Sequence, residues 1–247
     1  MFAVHAMRLP AALGLQFRQQ LRRMTSKKGG SSHRYMDRQL QDPFVKLAKS
    51  EQFRSRSSYK LIEIIDRHSL APKAAATCVV DCGAAPGGWS QVIARRFEST
   101  SKPRSLPEDD ISASPRIIAV DLLPMQPIPG VHFIQGDFLE QSIKSQIQSA
   151  LGQRRVGLML SDMAPSFTGH HSVDAARIMN LCEDVLAFSD EFLAYGGHLV
   201  LKFFMGGGEA ELRKTLRESF DRVLVEKPDA SRKQSSEQYF VCIGKRV

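Results

Sequence analysis

Residues 81–90 read Asp-Cys-Gly-Ala-Ala-Pro-Gly-Gly-Trp-Ser and directly follow the apolar run Cys78-Val79-Val80. An acid closing a β-like run, a Gly-rich turn and a helix starting at Trp89 together let main chain approach a ligand that side chains would exclude. The spacing is not the Gly-x-Gly-x-x-Gly of dinucleotide turns, because Gly83 is followed by Ala84, Ala85, Pro86, Gly87 and Gly88. Besides Asp81, three more acids stand at the ends of β-like runs: Asp121, Asp137 and Asp162. Any one alone reads more readily as a turn or cap residue. Four at successive strand ends, beside such a loop, point to a nucleoside cofactor. Asp121 is placed to accept both ribose hydroxyls of an adenosine. The pair Asp137-Phe138 suits an adenine amino group and ring face.

A second set of residues could handle a proton. Lys202 ends the apolar run that closes with Leu201-Lys202-Phe203, and Glu237 precedes the last β-like run. A lone lysine there would ordinarily snorkel to the surface, since an unpaired buried ammonium is costly. If the last strand runs antiparallel, its start lies where the parallel strands finish. Asp162, Lys202 and Glu237 then meet at one rim, and Lys60, on an N-terminal helix, covers that rim from the side.

The elements that must position these residues alternate. Two helices are predicted within 37–70, the second from about Ser57 to His68 with Leu61, Ile64 and Ile65 on one face. Strands are predicted at 77–81, 116–120, 131–135, 156–161, 198–203, 222–226 and 239–243, with helices near 89–98, 138–151, 172–194 and 208–219. Alternation of this kind gives an α/β fold, a mostly parallel seven-stranded sheet with helices on both faces. The connection 227–238 is too short for a parallel crossover, so the last two strands form an antiparallel pair. Residues 99–115 are polar and Pro/Ser-rich and read as a flexible insertion.

The net charge of +8 invites a nucleic-acid reading, but its distribution points elsewhere. Residues 1–36 hold seven Lys/Arg and no Asp or Glu, whereas the remainder holds 27 basic and 26 acidic residues. Leu9, Leu13, Phe17 and Leu21 recur every four residues beside Arg18 and Arg22. This is the composition of a mitochondrial transit peptide. No run reaches the roughly 18 apolar residues of a membrane span. The four cysteines, Cys78, Cys82, Cys182 and Cys242, form no Cys-x-x-Cys pair and lack zinc spacing, so no metal site is expected.

The strand, Asp-x-Gly, Pro-Gly-Gly and helix succession resembles the S-adenosylmethionine loop of Rossmann-like methyltransferases. Over roughly residues 37–245 the chain resembles the FtsJ/RrmJ (RlmE) family of ribosomal RNA 2′-O-methyltransferases. The matching motifs are Ser57-Ser58-Tyr59-Lys60-Leu61, the 81–91 loop, Asp121-Leu122-Leu123-Pro124-Met125, Gln135-Gly136-Asp137-Phe138, Ser161-Asp162-Met163-Ala164-Pro165, Lys202-Phe203-Phe204 and Ser231–Tyr239. The resemblance implies a Lys-Asp-Lys-Glu tetrad, Lys60, Asp162, Lys202 and Glu237, with Lys202 as the proton acceptor. It implies S-adenosylmethionine as cofactor, held by Asp81, Gly83 to Trp89, Asp121, Asp137, Phe138 and Asp162. With the transit-like leader, residues 1–36, it implies the mitochondrial branch. The expected substrate is then a uridine in the A-loop of mitochondrial large-subunit rRNA or its pre-ribosomal subunit, modified in the matrix by a monomer. The 99–115 insertion departs from the bacterial pattern and sets Asp121 38 residues after Gly83; long surface insertions cost little. Arg38, Lys46, Lys49, Arg54, Arg56 and Lys60, with Arg232 and Lys233, are the candidate phosphate contacts. Rival readings are a dinucleotide oxidoreductase, a non-catalytic rRNA-binding assembly factor, and a same-fold tRNA or cap methyltransferase.

Overall fold

A computed structural model describes residues 41–70, 78–100, 116–206, 208–232 and 234–247. The leader, Arg38, Lys233 and nearly all of the 99–115 insertion lie outside the described residues. The described residues from Leu47 to Val247 form one compact unit.

Helix α1 (Pro43–Ser50) opens on a cap: Asp42 Oδ1 accepts the Phe44 N–H at 3.0 Å, and Pro43 takes the first helical position. Then follow α2 (Ser57–His68), β1 (Cys78–Cys82), α3 (Gly88–Thr100), β2 (Ile117–Asp121) and β3 (Val131–Gln135). The remainder is α4 (Gln141–Leu151), β4 (Val156–Ser161), α5 (His171–Phe192), β5 (Leu193–Phe204), α6 (Glu209–Ser219), β6 (Phe220–Glu226) and β7 (Glu237–Lys245).

The seven strands lie in the order β3-β2-β1-β4-β5-β7-β6. All neighbours from β3 to β5 are parallel, and β7 runs antiparallel between β5 and β6. The expected fold class holds, with β7 as the one antiparallel strand. Strand alternation sorts the core into two layers. Val80, Val120, Met159, Leu201 and Phe240 face α4, α5 and α6 through Ile147, Val185 and Leu216. Val79, Ile117, Leu160, Val200 and Val241 face α2 and α3 through Leu61, Ile64, Trp89 and Ile93.

Two elements differ from expectation. Strand β5 starts at Leu193 directly after α5, not at 198. Leu193 is buried and pairs with Val156, whereas His198 pairs with Leu158, so residues 194–197 bulge out of the ladder. Helix α4 starts at Gln141 because Asp137 and Glu140 first form a turn, closed by Glu140 N–H on the Asp137 carbonyl at 3.0 Å.

Candidate active site

The strand order reverses between β1 and β4, and open α/β sheets bind ligands beyond the carboxyl ends of strands at such a point. The Gly-rich loop leaves β1 there. Gly83 N–H and Ala84 N–H both bond the Val120 carbonyl, at 2.9 and 3.1 Å, and Ala85 N–H bonds Asp121 Oδ2 at 2.9 Å. The Ala85–Pro86 peptide is cis. Gly83 has φ +77°, and a Cβ on it would lie 2.8 Å from the Met163 main-chain nitrogen. A Cβ on Gly88 would lie 2.9 Å from Ser58 Oγ. These glycines are therefore demanded by the protein's own chain crossings, the β4 exit on one side and α2 on the other.

Behind the loop stands Arg54. Its guanidinium donates to the carbonyls of Pro86 (3.3 Å), Gln126 (2.5 Å) and Pro127 (2.7 Å), while its N–H bonds Gln91 Oε1 at 3.0 Å. Arg56 donates to the Ala230 carbonyl, and Lys60 is ion-paired. Three of the cations expected on phosphates are thus committed within the protein. Lys46, Lys49 and Arg232 are exposed.

The acids are not equivalent. Asp121 ends β2, partly exposed, with Oδ1 accepting Leu123 N–H at 2.8 Å and Oδ2 accepting Ala85 N–H. Asp137 is partly exposed and shapes its turn through Leu139 N–H at 2.9 Å. A carboxylate has about four acceptor positions, so both retain capacity for hydroxyl or amino donors. Asp81, expected at the strand end, lies one residue inside β1, in register with Ala119 and Leu160, and is fully buried. Its Oδ2 accepts the Ser90 hydroxyl at 2.6 Å, and its Oδ1 has no partner among the described residues. Burial pushes the Asp81 carboxyl up to about 7; the Ser90 hydrogen bond opposes this, and the charges of Asp162 and Asp121 add to it.

Two aromatic residues of the expected cofactor set are buried. The Phe138 ring is buried edge-on against Phe188 at 5.4 Å, because the turn before α4 directs it into the core. Trp89 is also buried. Its indole N–H bonds the Ser57 carbonyl at 2.9 Å and its ring lies 5.7 Å from that of Tyr239, so it braces the loop against α2.

The four predicted tetrad residues do converge, and parity explains how. Val200 and Lys202, Leu160 and Asp162, and Val241, Tyr239 and Glu237 share the sheet face covered by α2. On α2, Lys60 lies one turn before Ile64, hence on the helix's buried stripe. Lys60 Nζ donates to Glu237 Oε1 at 2.6 Å and to Tyr239 Oη at 3.2 Å. Lys202 Nζ donates to the Asp162 carbonyl and lies 3.1 Å from Asp162 Oδ1. The Tyr239 hydroxyl donates to that same Oδ1 at 2.9 Å, linking the two ion pairs. Both lysines are only 8 % exposed, so each ammonium needs its partner.

Burial alone would raise the Glu237 carboxyl, but the Lys60 charge and hydrogen bond, the Lys202 charge and the Ser231 hydroxyl at 3.0 Å outweigh it and hold it below the usual range. Burial first, then the charges of Asp162 and Glu237, push Tyr239 well above an ordinary phenol, so it stays a neutral donor. Tyr239, Ser231 and Ser90 are functional neighbours that sequence reasoning missed. For Tyr239 a signal was present, since period-two alternation puts it on the face of Glu237.

The arrangement fits an S-adenosylmethionine site: an orphaned buried acceptor at Asp81, outward carboxylate capacity at Asp121 and Asp137, and a partly exposed loop at Gly83 to Pro86. With two lysines in ion pairs beside this loop, fold and site define a Rossmann-like methyltransferase.

The comparisons narrow the class. The FtsJ-like methyltransferase family matches residues 53–245, and the chain belongs to this family. The chain is 42 % identical over 217 residues to a ribosomal RNA large subunit methyltransferase E from Stenotrophomonas maltophilia, covering 88 % of this chain and 96 % of that protein. It is 43 % identical over 217 residues to the protein of the same name from Marinobacter nauticus, covering 88 % and 97 %. Among solved structures, a ribosomal RNA methyltransferase from Plasmodium falciparum superposes with a TM-score of 0.65 at 27 % identity, covering 78 % of this chain and 98 % of that one.

Proposed function

We propose that this protein transfers a methyl group from S-adenosylmethionine to a ribose 2′-hydroxyl of large-subunit ribosomal RNA. The carrying observation is the double ion pair Lys60–Glu237 and Lys202–Asp162 joined through Tyr239, set beyond the β1–β4 crevice. The cofactor supplies an already activated methyl group, so positioning the acceptor hydroxyl provides much of the rate. Asp121 holds the ribose of the cofactor and Asp137 its adenine amino group. Asp162 directs Lys202 Nζ through two contacts and leaves one of its three N–H directions for the substrate hydroxyl. In its neutral form the amine takes the hydroxyl proton at Nζ. Lys60, anchored by Glu237, neutralises negative charge building on the 2′-oxygen.

The relatives' name, large-subunit methyltransferase, supports rRNA as the substrate. The acid-free, Arg-rich residues 1–36 support import into the mitochondrial matrix. The proposed target is accordingly a uridine of the A-loop in mitochondrial large-subunit rRNA, methylated by a monomer in support of ribosome assembly. Mapping 2′-O-methyl marks on mitochondrial rRNA after deletion of the gene tests this. Loss of one A-loop mark is the expected result, and an unchanged methylation map would refute it.

A further inference from the structure

Beside the tetrad lies apolar surface that includes none of the residues assigned above to the cofactor or the target ribose. Phe167, on the loop leaving β4 after Asp162, is 55 % exposed, and Met205, just after β5, is 46 % exposed. The Phe167 ring stands edge-on to Phe204 at 5.3 Å. Phe204 pairs in register with Glu237, and Met205 N–H bonds the Ser236 carbonyl at 3.1 Å, so this surface continues directly from the tetrad. These side chains line a cavity of about 230 Å³ with Asp174, Ile178 and Ser236. That is below the roughly 300 Å³ at which pockets for whole drug-sized ligands begin.

The cavity's charge decides what fits. Its lining contains a carboxylate, Asp174, and no lysine or arginine. Asp174 is held below the usual range by the Thr168 N–H at 2.7 Å against the opposing pull of burial, with the Thr168 hydroxyl and Gly169 N–H adding to the effect, so it stays ionised. An anionic floor repels phosphate and accepts N–H donors. Across the Met205 ridge the balance reverses: a second cavity of about 450 Å³ is walled by Arg213, Lys214 and Arg217 against a single acid, Glu209. Arg213 Nε there is buried with no partner among the described residues.

We propose that the Phe167–Phe204 cavity receives an unpaired nucleobase of the RNA strand next to the target ribose, while the following phosphate crosses Met205 to Arg213. Unstacked RNA bases bind by stacking on aromatic rings and by hydrogen bonds to their edges, and Phe167, Phe204 and Asp174 offer both. The inference rests on the proposed rRNA function but is separable from it, because binding is read apart from transfer.

The test uses the full chain and a single-stranded RNA of the target loop carrying 2-aminopurine beside the target nucleotide. Wild-type protein should quench the fluorophore. Phe167→Ala, a change at an exposed position, should abolish the quench and weaken RNA binding about tenfold, within the range for one stacked base. Affinity for S-adenosylhomocysteine should not move, and Phe167→Trp should restore the quench. Arg213→Gln should reduce the slope of log K against log salt by about 0.7, one single-strand phosphate. Unchanged quenching and affinity in Phe167→Ala would overturn the proposal. So would a loss seen only with assembled subunits and not with naked RNA, since a ribosomal protein would then occupy the cavity. If wild type binds and quenches yet transfers no methyl group, the methyltransferase reading fails and the base site stands.

Discussion

Replacing Tyr239 by Phe isolates the link between the two ion pairs. The ring is fully buried against Trp89 and is retained, so packing is conserved. What disappears is one donor to Asp162 Oδ1 at 2.9 Å and one acceptor for Lys60 Nζ at 3.2 Å. Neither charged group is orphaned, because Lys202 still reaches Asp162 Oδ1 at 3.1 Å and Lys60 still reaches Glu237 at 2.6 Å. The stability cost should therefore be small, about 1 kcal/mol. Hydrogen bonds to charged groups are worth roughly 1.5–3 kcal/mol. If that energy holds the lysines in their reactive positions, kcat should fall about 10- to 150-fold, at 1.36 kcal/mol per decade. The assay is transfer of tritiated methyl from S-adenosylmethionine to large-subunit rRNA, run beside thermal denaturation and calorimetry with S-adenosylhomocysteine. Cofactor affinity should be unchanged. The shape of the pH–rate profile should also persist, because Tyr239 is protonated throughout the working range. A kcat within twofold of wild type, or a stability loss large enough to account for the whole effect, would refute the reasoning.

Three other outcomes follow from the same geometry. Asp81 has a folded value of about 7 against an ordinary 3.8, so the folded state binds the extra proton between these values and wild type loses stability as pH rises through that window. Relative to Asp81→Asn the loss should approach about 4 kcal/mol by pH 8, read by chemical denaturation at pH 4.5, 6 and 8; a gap that does not change with pH would contradict this. Asp121→Ala removes the acceptor of Ala85 and Leu123 N–H as well as the ribose carboxylate, so calorimetric affinity for S-adenosylmethionine should fall about 100-fold, and a change under threefold would be contrary. Gly83→Ala places a methyl against Met163 main chain at a positive φ and should cost about 1–3 kcal/mol, seen as a lower melting temperature; an unchanged one would contradict the crossing.

Much of this candidate site was legible because its polar side chains flank apolar runs, Asp121, Asp162 and Lys202 at their ends and Glu237 before one, and such runs mark strand ends. Asp121, Asp162, Lys202 and Glu237 were found that way. Asp81 was misplaced because β1 extends one residue further, through Cys82, which pairs with Ser161. A one-residue slip exchanges rim for interior and one face for the other. The burial of Phe138 was illegible for a different reason: its ring direction is set by Phe188 on α5, a partner that no local pattern names. The internal partners of the cations near α2 were illegible likewise, since charge can be counted in a sequence but acceptors cannot. Arg54 satisfies carbonyls at 86, 126 and 127. The β5 bulge had a cue in Gly196-Gly197, but the pairing of Leu193 with Val156 depends on the core closing over both.

The central claim is that Lys202, aligned by Asp162, accepts the proton of a ribose 2′-hydroxyl. Purified wild type and Lys202→Ala should be incubated with S-adenosylmethionine and large-subunit rRNA, and the product nucleosides resolved by mass spectrometry. Wild type should yield one 2′-O-methylated nucleoside, while Lys202→Ala should yield none yet bind the cofactor with near-normal affinity. A methyl group on a base, or near-normal transfer by Lys202→Ala, would contradict the account.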